Sequence, residues 1–131
     1  MNTKTANNKL ITQLNDAKRY FDDGDMTTYK SLSQSICSEF RKLLERTVEE
    51  DLIDKLVLRH RRSVTTDNRI HCLAKINQDD CSYFDGLMSK YSQYMHSQSA
   101  ETPVDFPSEP DLRTDIEGLK TWREAFRQRT V

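Results

Sequence analysis

From Tyr29 to Arg62 the apolar residues return every three to five positions, and this constrains the fold more than any other feature. Tyr29, Leu32, Ile36, Phe40, Leu43, Val48, Leu52 and Leu56 make one stripe, widened by Cys37, Leu44, Ile53 and Val57. Such spacing predicts one long amphipathic helix with its apolar side buried. Unbroken, it would span ~50 Å at ~1.5 Å per residue. The β-branched pair Thr47-Val48 marks a place for a kink. The stretch ends in a basic knot, Arg59-His60-Arg61-Arg62.

Other helices follow from the same spacing and from helix-end chemistry. Leu10, Leu14, Ala17 and Phe21 predict a first helix from about Thr5 to Asp23. Gly24 suits its left-handed end, and Asp25 suits the cap of the next helix. Asn77 followed by Asp79 and Asp80 opens a third, with Cys81, Phe84, Met88, Tyr91 and Met95 as its stripe. Ser108-Glu109-Pro110-Asp111 opens a fourth, carrying Leu112, Ile116, Leu119, Trp122 and Phe126. Acids precede bases along this last helix (Asp111, Asp115 and Glu117, then Lys120, Arg123, Arg127 and Arg129), which complements its dipole. Residues 63–68 read as a turn or loop; 69–76 fit a short strand or a helical turn, with irregular structure the favoured reading. Residues 97–110 form an acidic, Pro-containing linker, in which the alternation of Val104 and Phe106 suggests a segment laid on a surface.

The expected fold is therefore all-α: an irregular bundle of four main helices with a long second helix, forming a single domain over residues 1–131. The predicted core is Leu14, Phe21, Leu32, Ile36, Phe40, Leu43, Leu52, Leu56, Phe84, Met88, Tyr91, Leu119 and Trp122. Three glycines and three prolines in 131 residues favour long helices over a many-turned β fold.

Composition narrows the function classes. Charged residues make up 31% of the chain, yet the net charge is only -1, so any attraction to nucleic acid has to be local. No apolar run approaches the ~20 residues of a membrane span. The first residues lack the apolar stretch of a signal peptide. Three cysteines without a CxxC pair read as reduced thiols, so a cytoplasmic location is expected.

Few residues point to chemistry. Arg59, Arg61, Arg62 and Arg69 are the candidate nucleic-acid-binding residues, because clustered cations can hold a phosphate backbone. The competing explanation is that cations favour a helix C-terminus by ~0.3–1 kcal/mol each. Lys90, Tyr91 and His96 form a second candidate polar site before the linker. The Lys90…His96 pairing resembles the Arg…His motif of HEPN ribonucleases, with Lys in place of Arg and Tyr91 where a small polar residue is usual. His60, His71, His96 and the cysteines lack metal-ligand spacing, so neither metal nor cofactor is expected. Cys37 and Cys81 sit on apolar stripes, where cysteine is normally a small buried hydrophobe. There is no phosphate-binding glycine loop and no nucleophile elbow. Adjacent acids such as Glu49-Glu50 and Asp79-Asp80 point apart on a helix, which makes them poor acid–base partners.

Several stretches in order carry a resemblance. They are Tyr29-Lys30-Ser31-Leu32-Ser33, the run Arg41 to Glu50, and the run Phe84 to Ser92, followed by His96-Ser97-Gln98, Pro103-Val104 and Leu112 to Trp122. Together they resemble the C-terminal helical region of large bacterial AAA-type ATPases related to chromosome-segregation and recombination ATPases. The resemblance covers most of the chain from about Asn15 onward. It implies an accessory helical module, with the ATP-hydrolysing machinery elsewhere, that packs on an ATPase core, a second protomer or DNA. A non-enzymatic interaction module with a protein partner or self-association is thus the first expectation. Nucleic-acid binding is the second, and a HEPN-like ribonuclease the third.

Overall fold

The computed structural model describes residues 1–63, 69–97 and 106–130, the side chains of 95–97 excepted. Four α-helices dominate: α1 (Thr3–Asp22), α2 (Met26–Thr47), α3 (Gln78–Ser97) and α4 (Glu109–Gln128). A π-helical turn, Val48–Leu52, continues α2, and a 3-10 helix, Ile70–Lys75, precedes α3. No strand occurs among the described residues. No helix among them is long and apolar enough to cross a membrane.

Helix starts are set by local side-chain chemistry. Asn2 accepts from the Thr5 N–H at 2.8 Å, Asp25 from Thr28 at 3.2 Å and Ser108 from Asp111 at 3.3 Å. Each satisfies a backbone donor that the first turn leaves unpaired. At α3 the exchange is reciprocal: the Asp80 N–H donates to Asn77 and the Asn77 N–H donates to the Asp80 carboxylate, both at 2.9 Å. Gly24, at φ +76°, takes the left-handed position that ends α1.

Helix α1 packs between α2 and α4, and α2 also packs on α3. Side chains close the bundle between α3 and α4, where Phe84 meets Trp122 edge-on at 4.7 Å. Of the expected core, Leu14, Ile36, Phe40, Leu43, Leu52, Leu56, Phe84, Tyr91 and Leu119 are buried. Phe21, Met88 and Trp122 are half-buried against the core. The Tyr29 hydroxyl donates to the Pro107 carbonyl at 2.7 Å, which anchors the chain as it enters α4.

Four expectations need correction. The second helix does not run to Arg62: α2 ends at Thr47 and the π turn at Leu52, so no helix C-terminus holds the basic knot. Leu32 is 37% exposed, because it sits on the outer flank of α2. Cys81 is exposed, because the buried stripe of α3 keeps Phe84 and Tyr91 but takes Asp80 and Leu87 in place of Cys81 and Met88. Residues 70–75 form a 3-10 helix, the helical alternative rather than the favoured irregular structure. Residues 64–68 of the expected turn and 98–105 of the expected linker, Val104 included, lie outside the described residues. Phe106 is half-buried, with the Lys30 ammonium 5.2 Å from its ring centre.

Candidate functional site

The end of the bundle where α2 breaks down is built from the π turn. The Ile53 N–H reaches back five residues to Val48 at 3.1 Å, and Lys55 reaches six to Glu49 at 2.8 Å. A π turn inserts a residue into the helical register and is frequent at functional sites. Asp54 and Lys55 follow at φ 47° and 61°, the left-handed region that non-glycine residues rarely adopt. This pair turns the chain out of the helix and starts an arm, described over residues 53–63 and 69–76.

The shifted register brings Asp51 to the buried side. Arg123 of α4, 2% exposed, meets it there. The Arg123 guanidinium donates to Asp51 at 3.2 Å, to the Asn7 side-chain oxygen at 2.8 Å and to Thr47 Oγ1 at 3.1 Å. Asn7 in turn donates to the Ile116 carbonyl at 3.0 Å, Thr47 to Leu43 O at 2.8 Å and Thr3 to Asp51 at 2.7 Å. One polar layer therefore joins α1, α2, the π turn and α4. Burial pulls the Arg123 pKa down and the Asp51 carboxylate opposes it; the guanidinium stays charged, because arginine does not deprotonate in proteins. Beside this layer lies a cleft of about 460 Å³, lined in part by Lys55, Cys72, Lys75, Phe126 and Arg127. Burial and Asp54 push the Cys72 thiol up, away from a reactive thiolate.

The four candidate arginines lie on the arm, and three of them are drawn to different partners. Arg59 bridges back to Glu45 and Glu49, each at 2.7 Å. Arg61 donates to the Lys55 carbonyl, and Arg69 to the Asp54 carbonyl at 3.2 Å. Arg62 is exposed. The Cys72 thiol lies 3.6 Å from the Ile53 carbonyl and holds the 3-10 helix against the start of the arm. Three of the four guanidiniums thus brace the arm. The arm also leaves Val57, Ile70 and Leu73 exposed at 47%, 57% and 43%. Ile70 and Leu73 share a face, since i and i+3 eclipse in a 3-10 helix.

The second candidate site serves the joint between α3 and α4. Lys90 reaches Asp111 at 3.0 Å and Asp115 at 2.7 Å, and the Tyr91 hydroxyl donates to Asp115 at 2.6 Å. Tyr91 is fully buried and meets Phe40 edge-on at 4.8 Å. Burial and then Asp115 push its hydroxyl pKa far above the ordinary range, so it stays protonated. Burial would lower the Lys90 pKa, but its hydrogen bonds to Asp115 and Asp111 outweigh that and raise it. The His96 side chain lies outside the described residues. Among the described residues no group of three or more His, Cys, Asp or Glu is placed to hold a metal.

Asp80 is a further polar hub. It accepts from Arg129 at 2.5 and 3.1 Å, from the Trp122 indole at 3.0 Å and from the Asn77 N–H. Burial would raise its pKa, yet these donors outweigh burial and hold the carboxyl below its ordinary value. Such a group stabilises the fold above its unfolded pKa of ~4 and loses that contribution as pH falls through the lower folded value. Asp80→Asn is therefore expected to flatten the fall in urea midpoint between about pH 5 and pH 2, and an unchanged acid limb would contradict it.

The buried polar layer was missed in the sequence, although the signal was present. Thr3 and Asn7 occupy the stripe of α1 ahead of Leu10, Leu14 and Ala17. Arg123 occupies the stripe of α4 between Leu119 and Phe126. Polar residues at apolar positions of two helices mark groups that must meet inside.

No protein-family model matches the chain, and comparisons with characterised proteins and with solved structures find no match either.

Proposed function

We propose that the chain is a non-enzymatic helical interaction module, an accessory or C-terminal part of a bacterial ATPase system acting in the cytoplasm. The observation that carries this reading is the arm: Val57, Ile70 and Leu73 stay exposed on a segment that its own arginines brace. The groups that could have carried chemistry are engaged elsewhere. Arg123, Asp51, Lys90 and Tyr91 all tie helices together. The ATPase association rests on the sequence resemblance. It predicts that the tagged chain, purified from its host, retains an AAA-type ATPase subunit and that Leu73→Asp releases it. Retention of that subunit unchanged by Leu73→Asp would overturn the role of the arm. RNA incubated with the protein is expected to stay intact, and cleavage lost in His96→Ala would favour the ribonuclease reading instead.

A second reading, nucleic-acid binding through Arg59, Arg61, Arg62 and Arg69, is favoured by one observation. Residues 55–75 hold six lysines and arginines against one aspartate. It predicts duplex binding that falls steeply with salt and weakens in Arg62→Ala.

A further inference from the structure

We propose that the cleft beside the buried polar layer binds a small phosphate, as the free ion or as a monoester. This goes beyond the interaction-module reading and does not rest on it. At about 460 Å³ the cleft has the size of a small-molecule site. Its walls are the start of α1, the π turn with the left-handed pair, the 3-10 helix and the end of α4. Three of its cations, Lys55, Lys75 and Arg127, have no ion pair among the described residues. The acids beside them are already engaged. Glu50 pairs with Arg46, outside the cleft, at 2.9 Å, and Asp51 pairs with Arg123 at 3.2 Å. Asp54 alone then stands against three cations, an excess of two positive charges. That excess fits a phosphate group, which carries about −1.5 to −2 near pH 7, better than it fits a single carboxylate.

Arg123 gives the cleft donors as well as charge. Its bonds to Asp51, Asn7 and Thr47 use each nitrogen once, and each terminal nitrogen carries a second N–H. The guanidinium fork suits phosphate oxygens. Burial pulls the Arg123 pKa down, Asp51 opposes this, and Arg127 one turn further along α4 pulls it down again. Two guanidinium groups therefore repel each other beside the cleft, and an anion between them relieves the repulsion. Lys75 is held in position: its carbonyl accepts from Arg129 at 3.0 Å, and its ammonium lies 4.5 Å from the Phe126 ring centre. Arg59, Arg61 and Arg62 do not line the cleft, so it is separate from the surface of the nucleic-acid reading.

Isothermal titration of the full chain with orthophosphate and with glycerol 3-phosphate, in about 50 mM salt, tests this. The wild type is expected to bind at least one of the two at a single site. Lys75→Gln/Arg127→Gln is expected to weaken that binding at least about tenfold, and Arg127→Gln alone at least about threefold. Arg127 is exposed, so Arg127→Gln is expected to keep the wild-type urea midpoint and to read the site without loss of the fold. Arg62→Gln, outside the cleft, is expected to change the affinity less than about twofold. Tighter binding of the ester supports the proposal with a phosphorylated small molecule as ligand, and orthophosphate binding as tight or tighter supports it with the free ion. A wild type that binds neither probe, binding unchanged in the double variant, or a loss as large in Arg62→Gln overturns the proposal. Each of these results leaves the role of the arm standing, because Leu73 does not line the cleft.

Discussion

Arg123→Ala is expected to destabilise the fold by about 3–5 kcal/mol, the usual cost of breaking a buried ion pair from one side. The substitution leaves the Asp51 carboxylate, the Asn7 side-chain oxygen and Thr47 with one donor fewer, in a layer where Arg123 itself is 2% exposed. A domain of this size holds only about 5–15 kcal/mol in total, so the loss is a large fraction of it. Removing both charges with apolar replacements, Arg123→Met with Asp51→Leu, is expected to cost clearly less than Arg123→Ala, because no buried charge is then left alone. Urea unfolding of the single and double variants reads the difference. A double variant as unstable as the sum of its parts would mean that the pair is not coupled.

Phe40→Ala is expected to cost about 3–5 kcal/mol. Phe40 is fully buried on α2, and its ring meets Tyr91 of α3 edge-on. Tyr91 in turn binds Asp115 of α4. The cavity left by Phe40 therefore opens beneath the side chain that joins α3 to α4, and the site cannot collapse without loosening that joint. Leu32→Ala, on the exposed flank of the same helix, is expected to cost less than about 1 kcal/mol. Equal shifts in urea midpoint for the two would contradict the burial pattern.

Most helix ends were readable because each depends on one or two local residues. Asp25, Asn77 and Ser108 cap the helices they were expected to cap, and Gly24 turns the corner. The end of α2 was not readable from spacing. Leu52 and Leu56 are buried as the stripe requires, but a π turn and a left-handed pair carry them there rather than α-helix. Apolar periodicity records which residues go inside, not which backbone takes them. The β-branched pair Thr47-Val48 did mark the break. Arg123 was read as a dipole-complementing base because its charge drew more attention than its position. The stripe through Leu119 and Phe126 placed it inside, and only its partners on α1 and the π turn make that burial tolerable. The basic knot was visible in sequence, but its pairing with Glu45, Glu49 and backbone carbonyls was not, because it depends on the chain doubling back after residue 53.

The polar layer and the arm are two parts of one construction. Asp51 fixes the π turn against α1 and α4, and the turn sets the direction in which the arm leaves the bundle. On this view the fold depends on Arg123, and partner binding depends on the apolar side chains of the arm. The most direct test is retention of an AAA-type ATPase subunit by the tagged chain and by its Leu73→Asp variant, each purified in the same way from the host. The expected result is retention by the wild type and release by the variant. Equal retention by the two would contradict it.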